Sequence, residues 1–414
     1  MRTVEVVGLG YIGLPTAAMF ASHGLQVIGV DINPATVATV NAGLSPIAEP
    51  DLPTYLATAV RDGQLVARAT PAPADAFIIA VPTPYQEGHA ADLSYIAAAA
   101  RSIAPHLAPG NLVILESTSP PGTTRHLASR LMEARPDLSL DGADGRPALH
   151  VAYCPERVIP GRTMVELVTN SRVVGGLTPQ AAELARDLYA TFVSGDIAVT
   201  DTVTAELTKL AENSFRDVNI AFANELAGVA ERLGADPWEV IALANRHPRV
   251  SILQPGPGVG GHCIAVDPWF IVEAAPDLAR LVRTAREVND AQPNRVVGAV
   301  TAAVAGLARP QIAALGLAFK ADVDDLCDSP AVTVVERLAA ALPTADIRAV
   351  EPHATALPEP LAGAAGVRLT GLDEALAGAD LAVVLTDHSE FRAPAARAAI
   401  ASAPAVVDTR GLLR

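Results

Sequence analysis

Cys263 stands in the run GVGGHCIAVDPWF (residues 258–270), behind two glycines and four residues before Asp267. A glycine turn exposes a thiol and leaves backbone N–H groups beside it. Nearby cations or oriented amides lower a cysteine from its ordinary pKa of about 8.5. Lys209 and Asn213 are four apart in a run of helical periodicity, so both project from one face, where a lysine and an amide can hold a developing oxyanion. Asp267 can pair with a lysine or hold a water. Glu156, in AYCPERVIPG after a predicted strand, can activate water. One chemistry uses all of these. A primary alcohol loses a hydride to give an aldehyde, which a thiolate captures as a thiohemiacetal. A second hydride loss gives a thioester, and water releases a carboxylate. The plainer alternatives are a buried, inert cysteine and a solvated lysine. The second is weakened by composition, since among 30 Lys and Arg residues the lysines are Lys209 and Lys320 alone.

The hydride acceptor has its own signature. VVGLGYIG places Gly8, Gly10 and Gly13 in GxGxxG spacing directly after a predicted strand. In this pattern the first glycine allows a tight turn, the second lets backbone approach a pyrophosphate, and the third lets helix and strand pack closely. The next strand ends at Asp31, whose carboxylate suits a ribose 2′-OH and repels a 2′-phosphate, so NAD is expected over NADP. VPTP (81–84) and ESTSPPGTT (116–124) should lie at the carboxyl edge of the same sheet, where Thr83 and Thr118 can bond cofactor or substrate. Either loop can equally be structural.

The elements that must position these groups follow from periodicity. Predicted strands Val4–Gly8, Val27–Asp31, Ala76–Val81, Leu112–Ser117, His150–Tyr153 and Arg172–Gly175 alternate with Ala-rich helices, which argues for a parallel, doubly wound sheet. From Asp201 to Leu233 one long helix is expected, with Leu207, Leu210, Phe215, Val218, Phe222, Leu226 and Val229 at helical spacing. A second alternation begins near Val296, with strands Ile312–Leu315, Asp346–Val350, Leu381–Leu385 and Ala405–Val407. The fold class is therefore α/β: two Rossmann-like doubly wound domains, residues 1–200 and 296–414, joined by a long-helix central domain, 201–295. Residues 141–148 and 354–365 are expected as surface loops, and no repeat is evident.

The 414 residues, half of them hydrophobic, suffice for two or three cores. A formal net charge of −15 argues against nucleic acid and anionic membrane as partners. The first residues run into a strand without a signal-like n-region, and no apolar run is long enough to span a bilayer. Cys154, Cys263 and Cys327 are scattered and odd in number, with no CxxC pair or metal-ligand spacing, so no metal is expected and a reduced, cytoplasmic setting is.

GLGYIGLPTA, VPTP, ESTSPPGTT, AYCPERVIPG, ELTKLAENSFRDVNIAFANE, GVGGHCIAVDP, GLAFKADVDD and VVDTRG, in this order, resemble the UDP-glucose/GDP-mannose dehydrogenase family nearly end to end. The run NRHPRVSILQPGPGVGGHCIAVDPWF is most similar to its members acting on UDP-N-acetyl-D-mannosamine. The resemblance implies oxidation of the sugar C6 to a uronate with two NAD, for surface polysaccharide synthesis. It makes Cys263 the nucleophile and Lys209 and Asn213 the oxyanion holders. Asp267 assists Lys209 and a water, Glu156 serves thioester hydrolysis, and Thr118 lies by the reacting carbon and nicotinamide. Gly8, Gly10, Tyr11, Ile12, Gly13, Asp31, Thr83 and Thr118 would hold NAD. Glu156, Arg157, Lys209, Asn213, His247, Arg249, Gly260, Lys320 and Arg410 would hold the UDP-N-acetyl-hexosamine. It also implies a homodimer or higher homo-oligomer built on the long helix with a shared site, to which His247 and Arg249 come from the partner.

The chain departs from the pattern in places. His262, Ile264 and Val266 replace the GGxCFxKD of UDP-glucose enzymes, and Pro160 stands where a second glutamate is usual. Cys327 stands where relatives carry an arginine that contacts cofactor in some members. Its loss weakens NAD binding or leaves Arg157 to compensate, and Cys327 itself is expected as a packing residue. Three rival readings stay open. They are the same chemistry on UDP-GlcNAc or UDP-GalNAc, a two-electron 3-hydroxyacid dehydrogenase, and a non-catalytic nucleotide-sugar binder.

Overall fold

A computed structural model describes residues 1–86, 88–142 and 145–414. The chain forms two compact units, Met1–Glu212 with Trp269–Ala275, and Asn213–Pro268 with Pro276–Arg414.

The first unit is built on eight strands: β1 Thr3–Val7, β2 Gln26–Val30, β3 Leu65–Arg68, β4 Ala76–Ile79, β5 Leu112–Leu115, β6 His150–Tyr153, β7 Arg172–Gly176 and β8 Ile197–Asp201. Their order is β3-β2-β1-β4-β5-β6-β7-β8. Strands β4, β5 and β6 are buried along their whole length, as expected of strands with both faces covered by helices. The sheet is not wholly parallel as the sequence suggests, because β7 pairs antiparallel to β6, with Ala152 opposite Gly176 and Tyr153 opposite Gly175. The connection carries only the seven-residue helix Thr163–Thr169. The reversal has a consequence for chemistry: it sets Arg172, the first residue of β7, at the carboxyl end of β6, where a parallel strand would have its last.

The second unit holds β9 Gln311–Leu315, β10 Asp346–Val350, β11 Val367–Leu369, β12 Leu381–Val384 and β13 Val406–Asp408, ordered β11-β10-β9-β12-β13 and parallel throughout. This repeats the arrangement of the first five strands, down to its hydrogen bonds. Gly8 N–H donates to the Val30 carbonyl and Gly316 N–H to the Val350 carbonyl, each at 2.8 Å. The repeat is structural and left no visible trace in the sequence.

The long helix runs Thr202–Arg232, about 46 Å at 1.5 Å per residue, close to the predicted span. The stretch 354–365 is not all loop, since Glu359–Ala362 forms one helical turn. Of the expected loop 141–148, the described residues lie outside helices and strands, and residues 143 and 144 fall outside the description.

Candidate active site

The glycine loop after β1 shows why each glycine is there. Gly8 has φ 96°, and a Cβ on it would lie 2.5 Å from the Ala80 carbonyl oxygen; a Cβ on Gly13 would lie 1.9 Å from that of Gly8. Both are demanded by the protein itself. Gly10 is not, for nothing lies within 4 Å of a Cβ there. Open space over that backbone is what a pyrophosphate needs. The following helix, Gly13–Ser22, has no side-chain cap at Ile12 and no acid in its first turn, so no carboxylate there competes with an anion for the positive end of the helix. Tyr11 is exposed and Ile12 half-buried beside it. Asp31, just past β2, accepts from Leu9 N–H (2.9 Å) and Asn33 N–H (2.8 Å). Its carboxylate is thus fixed against the loop, with further lone pairs for a ribose. Residues and loop together fit NAD. The Thr83 hydroxyl donates to the Thr118 carbonyl at 2.5 Å, joining the two loops predicted at the sheet edge.

Glu156 lies at that edge, 7% exposed, in a group the sequence did not disclose. Its Oε2 lies 3.1 Å from the Arg172 guanidinium, and its Oε1 accepts from Arg157 N–H at 2.5 Å. Arg172 also lies 3.5 Å from Glu116 and stacks over the Tyr189 ring at 4.6 Å. One guanidinium therefore serves two buried carboxylates. Burial, against the attraction of Arg172, pushes Glu116 up to about 7. Cys154 lies beside the same guanidinium, and burial pushes its thiol up to about 12, which leaves it inert. Arg157 is committed elsewhere, with two nitrogens on Glu212 (3.1 and 2.6 Å) and a third on the Ser171 carbonyl. Glu206 was also missed. From the long helix it accepts from Gly122 N–H, Thr124 N–H and the Thr124 hydroxyl, holding the 116–124 loop. A glutamate on the buried stripe of an amphipathic helix was the available signal.

On the long helix, Lys209 is buried and Asn213 half-buried one turn on. The Asn213 side-chain amide donates to Asp267 Oδ2 at 2.5 Å. Asp267 N–H in turn donates to the Cys263 carbonyl at 2.8 Å. Asn213, Asp267 and the Cys263 turn are thus brought together. Cys263 is exposed, at a turn leading into helix Asp267–Ala274. The glycines before it are required by the packing: a Cβ on Gly260 would lie 2.3 Å from the Asp328 carbonyl oxygen.

Lys320 and Arg410 line one cleft, with Pro257, Gly258, Thr386 and Asp387 among its walls. Arg410 Nε donates to Asp387 Oδ1 at 2.9 Å, leaving the rest of its guanidinium directed by that bond. Glu351 underlies the cleft. It occupies the place in the second sheet that Asp31 has in the first, but its Oε2 accepts from Leu317 N–H (2.7 Å) and Ala318 N–H (2.9 Å) and lies 3.1 Å from His388 Nε2. With His388 against it, the Glu351 carboxylate is engaged within the protein, and the second sheet keeps the strand order of the first. His247 and Arg249 are exposed on the segment after helix Pro237–Ala244. Cys327 is exposed rather than packed, which corrects the expectation for it. In its loop, 325–328, Asp328 has φ 48°. Among the described residues no helix is long and apolar enough to cross a membrane.

Comparison with known proteins gives three matches in chain order. Residues 2–193 match the UDP-glucose/GDP-mannose dehydrogenase family NAD binding domain, 203–291 its central domain and 313–414 its UDP binding domain. The chain is 53% identical over 412 residues to an NDP-N-acetyl-D-galactosaminuronic acid dehydrogenase of Ralstonia nicotianae, covering 99% of this chain and 96% of that one. It is 53% identical over 399 residues to the UDP-N-acetyl-D-mannosamine dehydrogenase of Escherichia coli K12, covering 94% of each. Among solved structures, a UDP-D-ManNAc dehydrogenase of Pyrococcus horikoshii superposes with a TM-score of 0.90 at 39% identity, over 100% of this chain and 96% of that one.

Proposed function

The chain belongs to the UDP-glucose/GDP-mannose dehydrogenase family and is an NAD-dependent nucleotide-sugar dehydrogenase; from that premise we propose that it oxidises C6 of UDP-N-acetyl-D-mannosamine by four electrons, through a thioester on Cys263. The observation that carries this reading is the bonded series Cys263–Asp267–Asn213, with Lys209 one helical turn from Asn213. A two-electron dehydrogenase has no use for an exposed thiol held there.

The glycine loop and Asp31 would hold NAD, which would supply the hydride acceptor for each oxidation. Cys263 adds to the aldehyde carbon, and Lys209 and Asn213 hold the oxygen that becomes negative. Asp267 keeps the Asn213 amide oriented, so its second N–H can donate to that oxygen. Glu156, aimed by Arg172 and the Arg157 N–H, takes a proton from the water that opens the thioester. Thr118 shapes the cofactor edge, and Lys320 and Arg410 supply the positive charge for the diphosphate end of the substrate. His247 and Arg249 complete the sugar site of a partner subunit in a homodimer formed along the long helix. The three-domain division 1–200, 201–295 and 296–414 then separates cofactor, oligomer and UDP functions. The product feeds surface polysaccharide synthesis in the cytoplasm.

A second reading, the galacto epimer as substrate, is favoured by the equal likeness to the Ralstonia protein. Excess NAD with limiting UDP-ManNAc, counting NADH per sugar, tests both. Two NADH and a uronate support the proposal. One NADH overturns the thioester route, and turnover only with UDP-GalNAc transfers the reading to that epimer. Cys263→Ser should abolish uronate formation; unchanged turnover would remove Cys263 from the mechanism.

A further inference from the structure

Two residues that set this chain apart in sequence, His262 and Cys327, meet in space. We propose that His262, Cys327 and Asp328 form a binding site for a soft divalent cation of the zinc type, one residue from Cys263. A ring nitrogen, a thiol sulfur and a carboxylate oxygen of the three lie within 4.8 Å of one another, and all three residues are exposed to an arriving ion. Nitrogen, sulfur and oxygen donors with a fourth position left for water form a ligand set that zinc takes at about 2.0–2.3 Å. Tetrahedral angles at those lengths need donor separations of about 3.5 Å, which rotation of exposed side chains supplies.

The base beneath the three is fixed. The backbone at Gly260 abuts the Asp328 carbonyl and the Pro330 ring so closely that no Cβ would fit. Cys327 N–H donates to Asp325 Oδ1 at 2.9 Å, which sets the turn presenting the thiol. Asp325 Oδ2 lies 3.8 Å from His262 Nδ1, beyond hydrogen-bond reach but near enough to steady the ring once it turns toward an ion. Burial and the neighbouring Asp328 and Asp325 raise the Cys327 thiol. The acidic surroundings that oppose a thiolate also draw a cation, and a bound divalent ion reverses their effect on the thiol, whose proton passes to solvent. The other His-containing group of this kind among the described residues, Asp322, His353, His388 and Glu390, is less suited. Both ring nitrogens of His388 are already occupied, by Asp322 N–H and by Glu351. Occupancy at His262 tethers the turn carrying Cys263 and inhibits turnover; that consequence, unlike the site itself, rests on the reading of Cys263 as nucleophile.

The test is a titration of the tag-free, chelator-treated full chain with Co2+, following thiolate-to-cobalt charge-transfer absorption, then displacement by Zn2+. One equivalent should saturate the band. Cys263→Ser should keep it, Cys327→Ser should lose it, and His262→Gln should weaken binding at least tenfold. No saturable band in the wild type overturns the site. So does a band that survives Cys327→Ser and vanishes in Cys263→Ser, which would assign the metal to the nucleophile. The titration needs no turnover, so it stands or falls apart from the dehydrogenase assay. In that assay, Zn2+ inhibition should be relieved in Cys327→Ser.

Discussion

Arg172 joins two buried carboxylates of the first unit through one guanidinium. It is 4% exposed and lies between Glu116 and Glu156. Removing one member of a buried ionic group strands the others, at a cost of about 3–5 kcal/mol. Arg172→Met should therefore lower stability to urea by about that much, and a loss below about 1 kcal/mol would mean the two glutamates do not depend on it. Glu5 gives a separate residue-scale prediction. It is wholly buried in β1, its Oε2 accepts from Ala72 N–H at 2.7 Å, and its Oε1 has no partner. Burial raises it to about 7, against about 4.3 in an unfolded chain. Below the unfolded value both states are protonated. Between the two values the unfolded chain gives up its proton while the folded one retains it, so stability falls as pH rises through that window. Glu5→Gln lacks the titration. Its stability relative to wild type should rise between pH 4.5 and pH 8, by about 3 kcal/mol. A flat difference across that range would show that Glu5 does not titrate this way.

At the scale of elements, chemistry collects at the carboxyl ends of strands, and the loops there are held by buried acids. Glu206 holds the loop after β5, and Glu351 with His388 holds the loop after β9 that carries Lys320. Glu351→Ala should leave two N–H groups and His388 without their acceptor and loosen that loop. The KM for the nucleotide sugar should rise tenfold or more, with NAD affinity by fluorescence unchanged and Glu351→Gln restoring most of the loss. Equal damage to NAD binding would indicate general unfolding instead. These acids are also where the sequence stopped being legible. The central strands announced themselves by apolar runs, and the glycine loop by its spacing. β3, β8 and β11 did not, because each lies at a sheet edge and needs no continuous apolar run. The antiparallel return of β7 leaves no local mark, and neither does the pairing of Arg172 with acids from two other strands' ends. Lys209, Asn213 and Asp267 could be singled out because helical spacing and a glycine turn are local signals, but the Asn213–Asp267 bond, like the meeting of His262 and Cys327, arises only through the fold.

At the scale of the whole molecule, the long helix leaves part of its apolar pattern unused. Leu210 and Ala223 are buried within the chain, but Leu207, Phe215, Phe222, Val229 and Leu233 remain exposed, Phe215 at 71%. Phe215, Phe222 and Val229 are seven residues apart, so they form one stripe along the helix. A stripe of large side chains on one face of a helix this long is the kind of surface on which a homodimer, as proposed, would be built. A second copy of the helix, pairing the same stripe with itself, is the occupant that a symmetric dimer supplies. Burying a phenylalanine is worth about 1.5–3 kcal/mol, and each substitution in a symmetric interface counts twice. If the proposed homodimer forms there, the wild type should sediment as a dimer or larger and the double variant Phe215→Asp, Phe222→Asp as a monomer. Its circular dichroism should be unchanged, since both side chains already face outward in the single chain. If His247 and Arg249 serve the partner's site, the monomer should also bind NAD normally yet lose turnover. A monomer with full activity would separate the oligomer from the chemistry, and a variant that still dimerises would place the interface elsewhere.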